Sequence, residues 1–182
     1  MEIKTNKRGV IEVNRKQKGD KAEHFVAEYL ASLGYVVEIH PRTFRPVRIK
    51  GGRTVMVSKD NDYHNAFDVK AEGLSAMIYA QVKYMPDGTA SNGNIAGARR
   101  TVDHEYPYNF SYVRPQVWLV WETWIPKPRR HKEFRFRVQE RYGFSAAAWK
   151  KDGESFPKGN WIEVELEGNK LKHPKGMIKE VR

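Results

Sequence analysis

The alternation of apolar and polar residues predicts one long helix near the N-terminus, followed by a series of strands. Between residues 18 and 33 the apolar residues recur every three or four positions, which is the spacing of a helix with one buried face. Asp20 followed by Glu23 has the spacing of a capping box, and Gly34 suits the position just after a helix. The segment Lys18-Gly19-Asp20 is therefore predicted to open the helix, with Asp20 as its N-cap, and the helix is predicted to end before Gly34.

Strands are predicted wherever β-branched and aromatic residues alternate with polar ones. They cover residues 35–39, 66–71, 77–85, 117–125, 134–138 and 161–166, with a second helix at 94–103. A Gly51-Gly52 turn between two short apolar segments predicts a hairpin, read as an insertion at residues 42–61. The strand at 117–125 is apolar enough to lie at the centre of the sheet. This order predicts a mixed α/β fold rather than a doubly wound array.

The same pattern divides the chain into three regions. Residues 1–17 are predicted to be a flexible basic arm with one short strand at Val10–Val13, and residues 18–125 form the core. Residues 126–182 are predicted to be a basic, β-rich extension that packs on the core and ends in a polar tail from residue 168.

Composition narrows the class of protein. The 182 residues include 33 Lys and Arg against 22 Asp and Glu, a net charge of +11, and no cysteine. The absence of cysteine excludes disulfide scaffolds, zinc-thiolate sites and thiol catalysis. No stretch reaches the ~18 to 20 apolar residues of a membrane helix, and no secretory signal is visible. We therefore expect a cytoplasmic protein that is not associated with a membrane.

A basic surplus of this size predicts a polyanionic partner, most commonly nucleic acid. Clustered Lys and Arg side chains suit contacts to phosphates, which confer affinity without reading sequence. The predicted nucleic-acid-binding residues are Lys4, Lys7, Arg8, Arg15, Lys16, Lys18, Arg48, Arg53, Arg99 and Arg100.

Three polar residues of the predicted strands are placed to form a chemical site. Gln81 and Lys83 point to the same side of one strand, and Asp68 lies on the strand expected to pair with it. A carboxylate and a carboxamide oxygen are hard ligands suited to Mg²⁺ or Mn²⁺, and an adjacent ammonium can position water or stabilise developing negative charge. Glu23 would add a second carboxylate if its helix packs beside these strands.

Asp68, twelve intervening residues and then Gln81-Val82-Lys83 resemble the PD-(D/E)XK nuclease signature. The helix opening Lys18-Gly19-Asp20-Lys21-Ala22-Glu23, and Asn65-Ala66-Phe67-Asp68-Val69 ahead of the second strand, make the pattern similar to archaeal-type Holliday junction resolvases and their viral relatives. The resemblance covers about residues 15–105, with the hairpin set aside. It implies a restriction-endonuclease-like core and a homodimer that cuts four-way DNA junctions by paired nicks.

The resemblance also implies a role for each matching residue. Mg²⁺, with Mn²⁺ as a substitute, would be held by Asp68, Gln81, the carbonyl of Val82 and Glu23. Lys83 would orient the attacking water, leaving a 5′-phosphate and a 3′-hydroxyl. His64 and Asn65 belong to the short polar loop before the aspartate and are candidate auxiliary residues.

Several alternatives stay open at this point. Gln81 stands where glutamate is more usual, so the site should hold its cation more weakly. Glu23 is either a metal ligand or simply a helix-capping residue. The chain is alternatively a restriction- or repair-type endonuclease of duplex or flap DNA, or a non-catalytic nucleic-acid-binding protein on a degenerate nuclease core. The alternating aromatic residues at 106–112 are expected to form an exposed edge or a dimer surface.

Overall fold

The computed structural model describes residues 7–40, 43–48, 51–52, 54–59, 62–85, 92–125, 131–151, 153–167 and 170–172. Within these residues its elements are, in chain order, α1 (Lys7–Ser32), β1 (Val36–Ile39), β2 (Thr43–Arg48), β3 (Thr54–Lys59), β4 (Val69–Glu72), β5 (Met77–Tyr84), α2 (Asn92–Glu105), β6 (Val113–Ile125), β7 (His131–Lys151), β8 (Glu154–Glu167) and β9 (Lys170–Lys172). Neither helix offers, over this part of the chain, a segment long and apolar enough to cross a membrane.

The strands form one seven-stranded sheet in the order β1-β4-β5-β6-β7-β8-β9, while β2 and β3 pair only with each other. β5 and β6 are parallel, and the other neighbours in the sheet are antiparallel. The connection between the parallel pair includes α2, because parallel neighbours need a crossover rather than a tight turn. The predicted mixed α/β class is confirmed at this level, and β6 is the central strand, as expected.

The two helices bury opposite faces of the sheet. On one face, Ala22, Val26 and Leu30 of α1 pack with alternate residues of β5, among them Ala80 and Val82. On the other, three apolar residues of α2 pack over residues of the opposite parity; they are Ile95, Ala98 and Val102. Because both faces of β6 are covered, its consecutive residues Val117–Val120 are all fully buried.

The N-terminal part of the sequence prediction is wrong. α1 begins at Lys7, so the residues assigned to a flexible arm, and to a strand at Val10–Val13, are helical as far as they are described. The run Arg15 to Lys18 consists of residues with good helix propensity, and it carries the helix past Asp20. Asp20 is therefore not an N-cap: its backbone carbonyl accepts a hydrogen bond from Nδ1 of His24, one turn later.

The predicted hairpin and the end of α1 are confirmed. β2 and β3 pair in antiparallel register around Gly51 and Gly52, whose φ angles are +100° and +76°. Gly34, with φ of +90°, follows α1, and its N–H donates to the carbonyl of Ala31. Glycine adopts these left-handed angles without steric cost, which explains both positions.

The C-terminal strands are much longer than predicted and belong to the main sheet. β7 pairs with β6 along its first half and with β8 along its second half, so the sheet continues across the boundary drawn at residue 125. Residues predicted as the start of a polar tail form β9. Register shifts near Gly143 and after Phe144 bend the β7–β8 pair, which explains why a strict alternation of apolar and polar residues is visible only over 134–138.

A buried ion pair joins these C-terminal strands to α2. Nη1 of Arg141, on β7, donates to Oδ1 of Asp103 at 3.2 Å, and the two side chains are 1% and 0% exposed. Oδ2 of Asp103 also accepts the backbone N–H of Gly159 at 2.8 Å and the indole N–H of Trp149 at 2.9 Å. The carboxylate is thus fully hydrogen-bonded, which is the condition under which a buried charge is tolerated.

We predict that Gly159→Ala destabilises the protein and that Gly97→Ala does not. A Cβ at Gly159 would lie under 3.0 Å from Asp103, Arg141 and Trp161, so the buried network must shift. The expected loss in the free energy of unfolding is about 2 kcal/mol or more. At Gly97, inside α2, a Cβ meets nothing within 4 Å, and alanine should add about 0.5–1 kcal/mol. Urea unfolding followed by tryptophan fluorescence measures both, and equal effects would contradict the prediction.

Candidate active site

The structure brings Asp68 and Gln81 together at the start of β4. The antiparallel register of β4 and β5 pairs Val69 with Ala80, and the backbone N–H of Asp68 donates to the carbonyl of Ala80 at 2.9 Å. Oδ2 of Asp68 accepts a hydrogen bond from Nε2 of Gln81 and another from the backbone N–H of Val82, both at 2.6 Å. Short bonds of this kind to an ionised acceptor are the stronger class of hydrogen bond, and they fix the carboxylate in place.

Lys83 completes the predicted group. It follows Gln81 by two residues on β5, so the two side chains point to the same face, with Gln81 buried and Lys83 exposed. The positive charge of Lys83 is close enough to lower the pKa of Asp68. The structure thus joins Asp68 to Gln81 by a hydrogen bond and places Lys83 on the same face of β5, and the functional role of the three residues stays a prediction.

The Asp68 carboxyl has a perturbed acidity. Burial raises its pKa from the ordinary 3.8 to about 6, against the lowering effects of the Val82 N–H, Lys83 and Gln81. The nearby carboxylate of Asp62 raises it further. A buried acid whose pKa is shifted toward neutrality is a common property of functional sites.

Val82 contributes its backbone to the same edge. In a strand, the N–H and the C=O of one residue point to the same neighbour, and the N–H of Val82 points to Asp68. The Val82 carbonyl therefore also faces the β4 side. Asp68 is the residue just before Val69, the first paired residue of β4. The Val82 side chain packs on the α1 face. The Val82 carbonyl and the Asp68 carboxylate are therefore on the same side of β5.

Glu23 lies on α1, which packs on the sheet face opposite to the one that carries Gln81 and Lys83. It is a half-buried residue of α1, whose core residues pack against the opposite, Val82 side of β5. The capping-box role is also excluded, because α1 is already formed before Asp20. Over the described part of the chain, no three His, Cys, Asp or Glu side chains form a group that could hold a metal ion.

The remaining donors fit a divalent cation only in part. The carboxylate of Asp68 and the carbonyl of Val82 are suitable hard oxygen ligands. Gln81 presents its amide nitrogen to Asp68, so its amide would have to turn over to offer its oxygen. A ligand set with one carboxylate and neutral oxygens predicts weak, readily reversible binding of the metal.

His64 and Asn65 form a tight turn directly before the site. Both have left-handed backbones, with φ of 54° and 56°, which is uncommon for residues other than glycine. The N–H of Phe67 and the carbonyl of Tyr63 close the turn at 3.0 Å. The His64 ring packs against Tyr79, with ring centroids 5.2 Å apart, so this side chain faces an aromatic cluster. Strained backbone of this kind concentrates at functional sites.

The predicted nucleic-acid-binding residues are dispersed over several elements. Lys4 and Arg53 lie outside the described residues, and Lys7, Arg8, Arg15 and Lys16 lie on α1. Lys18 places its Nζ 5.4 Å from the centroid of the Tyr84 ring. Arg48, on β2, and Arg100, on α2, are exposed, and Arg100 also stacks over Trp149. Arg99 is half-buried and donates to Oε1 of Gln139 at 2.7 Å, so it has a structural role that the sequence did not reveal.

Comparison of the chain with protein-family models, with curated proteins and with solved structures finds no match. The resemblance to PD-(D/E)XK nucleases therefore stays a prediction, which rests on the sequence pattern of Glu23, Asp68, Gln81 and Lys83.

We predict that Asp68→Asn stabilises the protein at neutral pH. Between about pH 4 and 6 the raised pKa of Asp68 makes the folded protein hold its proton more tightly than the unfolded chain. The contribution of Asp68 to the free energy of unfolding should therefore fall as pH rises through that interval, by about 1–3 kcal/mol. Asparagine keeps an oxygen for the Val82 N–H but carries no charge, so the variant should lack this fall.

Urea unfolding at pH 4, 5, 6 and 7.5 measures the effect. Glu28→Gln, at an exposed carboxylate of α1, is the control for removing one negative charge. If the stability of Asp68→Asn relative to the wild type does not increase between pH 4 and 6, or if both variants gain equally, the prediction is contradicted.

Proposed function

We propose that this chain is a divalent-metal-dependent DNA endonuclease with a restriction-endonuclease-like core, and that it nicks branched DNA such as a four-way junction. The observation that carries the proposal is the hydrogen-bonded set of Asp68, Gln81 and Val82, with Lys83 on the same face of β5 as Gln81. A half-buried carboxylate near an exposed lysine, in a chain of net charge +11, suits hydrolysis of a polyanion.

The residues that would hold Mg²⁺ or Mn²⁺ are Asp68, the carbonyl of Val82 and, after rotation of its amide, Gln81. Such an ion, when bound, supplies charge neutralisation to a phosphodiester and acidity to a water molecule. Glu23 is left out of this set, because its helix lies on the other face of the sheet.

The chain's own contribution is positioning and electrostatics. Asp68 must be ionised to act, and its pKa of about 6 leaves it mostly charged at neutral pH. Lys83 carries its ammonium on the exposed side of the site, where it would orient a water for in-line attack or stabilise charge on the phosphate oxygens. The N–H of Val82 keeps the carboxylate oriented while these groups act.

Affinity for DNA would come from elsewhere on the surface. Arg48 and Arg100 are exposed and outside the Asp68 site, so they are available for phosphate contacts. Paired nicks in a symmetric junction require two sites, so the proposal includes a homodimer, as the resemblance implies.

A second candidate is a non-catalytic nucleic-acid-binding protein on the same core. It is favoured by the orientation of Gln81, whose amide N–H donates a hydrogen bond to Oδ2 of Asp68. This bond occupies an oxygen that a metal ion would need and leaves the amide oxygen turned away from it. The hairpin β2–β3, a separate sheet with the exposed Arg48, favours instead a nuclease that reads duplex or flap DNA.

We predict that Lys83→Ala greatly slows cleavage and leaves binding nearly intact. Loss of one group that acts on the transition state should lower the rate about 10²- to 10³-fold, while the dissociation constant changes less than about threefold. The matched control is Lys70→Ala, which removes an equal charge from β4, where the lysine is paired with Glu38 and Glu72.

The substrates are a labelled four-way junction, a flap and a linear duplex of the same arms, each with Mg²⁺, with Mn²⁺ and with chelator. Paired nicks confined to the junction would support the proposal. Cutting of all three substrates would instead identify a general or restriction-type nuclease. Binding without any metal-dependent cut would identify the non-catalytic alternative.

We also predict opposite effects of Gln81→Glu on metal binding and on stability. A second carboxylate beside Asp68 should strengthen Mn²⁺ binding, because the site gains a charged ligand. Without metal, two like charges at hydrogen-bond distance should lower the free energy of unfolding at pH 7.5 by about 1–3 kcal/mol. Calorimetric titration with Mn²⁺ and urea unfolding in chelator measure the two effects. Unchanged Mn²⁺ affinity would argue against Gln81 as a ligand.

A further inference from the structure

An aromatic cleft of about 280 Å³ opens on the sheet face that also carries Gln81 and Lys83. It is lined by His64, Met77, Tyr79, Tyr106, Tyr108, Phe110, Tyr112 and Val113. None of these residues carries a fixed charge, so the lining suits a flat, uncharged ring and not a phosphate. Edge groups able to form hydrogen bonds are present in the His64 imidazole and the tyrosine hydroxyls.

Three of the rings are exposed although they are large and apolar. Tyr108, Phe110 and Tyr112 have exposed fractions of 52%, 47% and 54%. Tyr108 and Phe110 are stacked, with centroids 5.9 Å apart and planes 22° apart, and Tyr112 follows at 5.8 Å from Phe110. Contiguous exposed aromatic surface of this kind marks an interaction site.

The cleft is held rigidly. Nη2 of the buried Arg141 donates to the backbone carbonyls of Tyr106 and Tyr108, both at 2.8 Å. The carbonyl of Tyr112 accepts the N–H of Met77 at 2.7 Å. The aromatic segment is therefore fixed before any ligand binds, which reduces the entropic cost of binding.

The cleft is also close to the Asp68 site. Tyr79 precedes Gln81 by two residues on the same face of β5, a separation of about 7 Å along the strand. Phe67, the residue before Asp68, stacks on Tyr79 with centroids 5.2 Å apart and planes 24° apart. A distance of this size is comparable with one nucleotide step of an extended strand.

We propose that this cleft binds an unpaired nucleobase of the DNA strand whose phosphate lies at Asp68. The inference rests on the proposed nuclease function and deepens it. It requires the substrate to contain an unstacked base next to the phosphodiester that is cut. Every nucleobase has a π-face for the rings of the cleft, and the positive charge of the chain attracts the strand that carries it. A fully paired duplex offers no such base at low cost.

The test uses the fluorescent base 2-aminopurine in a DNA duplex, once as a single unpaired base and once paired, in chelator so that nothing is cut. Binding of the wild-type protein should change the fluorescence of the unpaired base. Tyr108→Ala and Phe110→Ala should weaken binding of that DNA about 5- to 150-fold, and binding of the paired duplex less than twofold. The matched control is Tyr142→Ala, at a tyrosine of β7 that is 50% exposed and outside the cleft lining.

Equal losses in Tyr108→Ala and Tyr142→Ala, or no preference for the unpaired base, would overturn the inference. A change from dimer to monomer in Tyr108→Ala, with base binding intact, would also overturn it and assign the cleft to a subunit interface. Cleavage in Mg²⁺ by the wild-type protein is measured separately. If the wild-type protein nicks DNA but the cleft variants bind the unpaired base as well as it does, the cleft inference is overturned and the nuclease proposal stands. If the wild-type protein binds no DNA, the cleft inference and the nuclease proposal are both overturned.

Discussion

The carboxylate of Asp103 is the point at which the helix α2, the aromatic segment after it and the long C-terminal strands are tied together. Its ion pair with Arg141 is inaccessible to solvent, and bonds from Gly159, Trp149 and Trp161 satisfy its oxygens. Burying two charges costs several kcal/mol, which is recovered only when the geometry and the additional hydrogen bonds are complete. Each element bound to this carboxylate therefore depends on the others, so the C-terminal strands are part of the core and not an appendage.

Asp68 is the reverse case, a half-buried carboxylate whose hydrogen bonds and neighbouring lysine do not fully offset the cost of desolvating its charge. Burial raises its pKa to about 6, although two short hydrogen bonds and a nearby lysine favour the charged form. The left-handed residues His64 and Asn65 stand immediately before it. A stable fold gains nothing from this combination of desolvated charge and strained backbone, and proteins retain such features where function requires them. The contrast with Asp103 separates a carboxylate that holds the structure together from one that we propose takes part in chemistry.

Local patterns predicted the elements whose signals are local. The hairpin around Gly51 and Gly52, the end of α1 at Gly34 and the meeting of Asp68 with Gln81 all follow from spacing within one or two strands. The predicted start of α1 is wrong, because the capping-box spacing at Asp20 indicates a later start than the helix propensity of the residues before it supports. The pairing of Asp103 with Arg141 joins residues 38 apart, and no periodicity in either segment indicates it. The aromatic run at 106–112 was visible in the sequence, but its position beside Tyr79 depends on the parallel pairing of β5 and β6.

One strand, β5, unites the chemistry and the recognition proposed for this chain. Its residues of one parity pack beneath α1, so that face is closed. Its residues of the other parity run from Met77 and Tyr79 in the aromatic cleft, through the buried Gln81, to the exposed Lys83. A DNA strand lying along this face would meet uncharged rings first and an ammonium last, with the Asp68 carboxylate between them. Arg141 holds the aromatic segment of the cleft by hydrogen bonds, and the Val82 N–H holds the Asp68 carboxylate. The distance between the bound base and the phosphate would therefore be set by the residue spacing along β5.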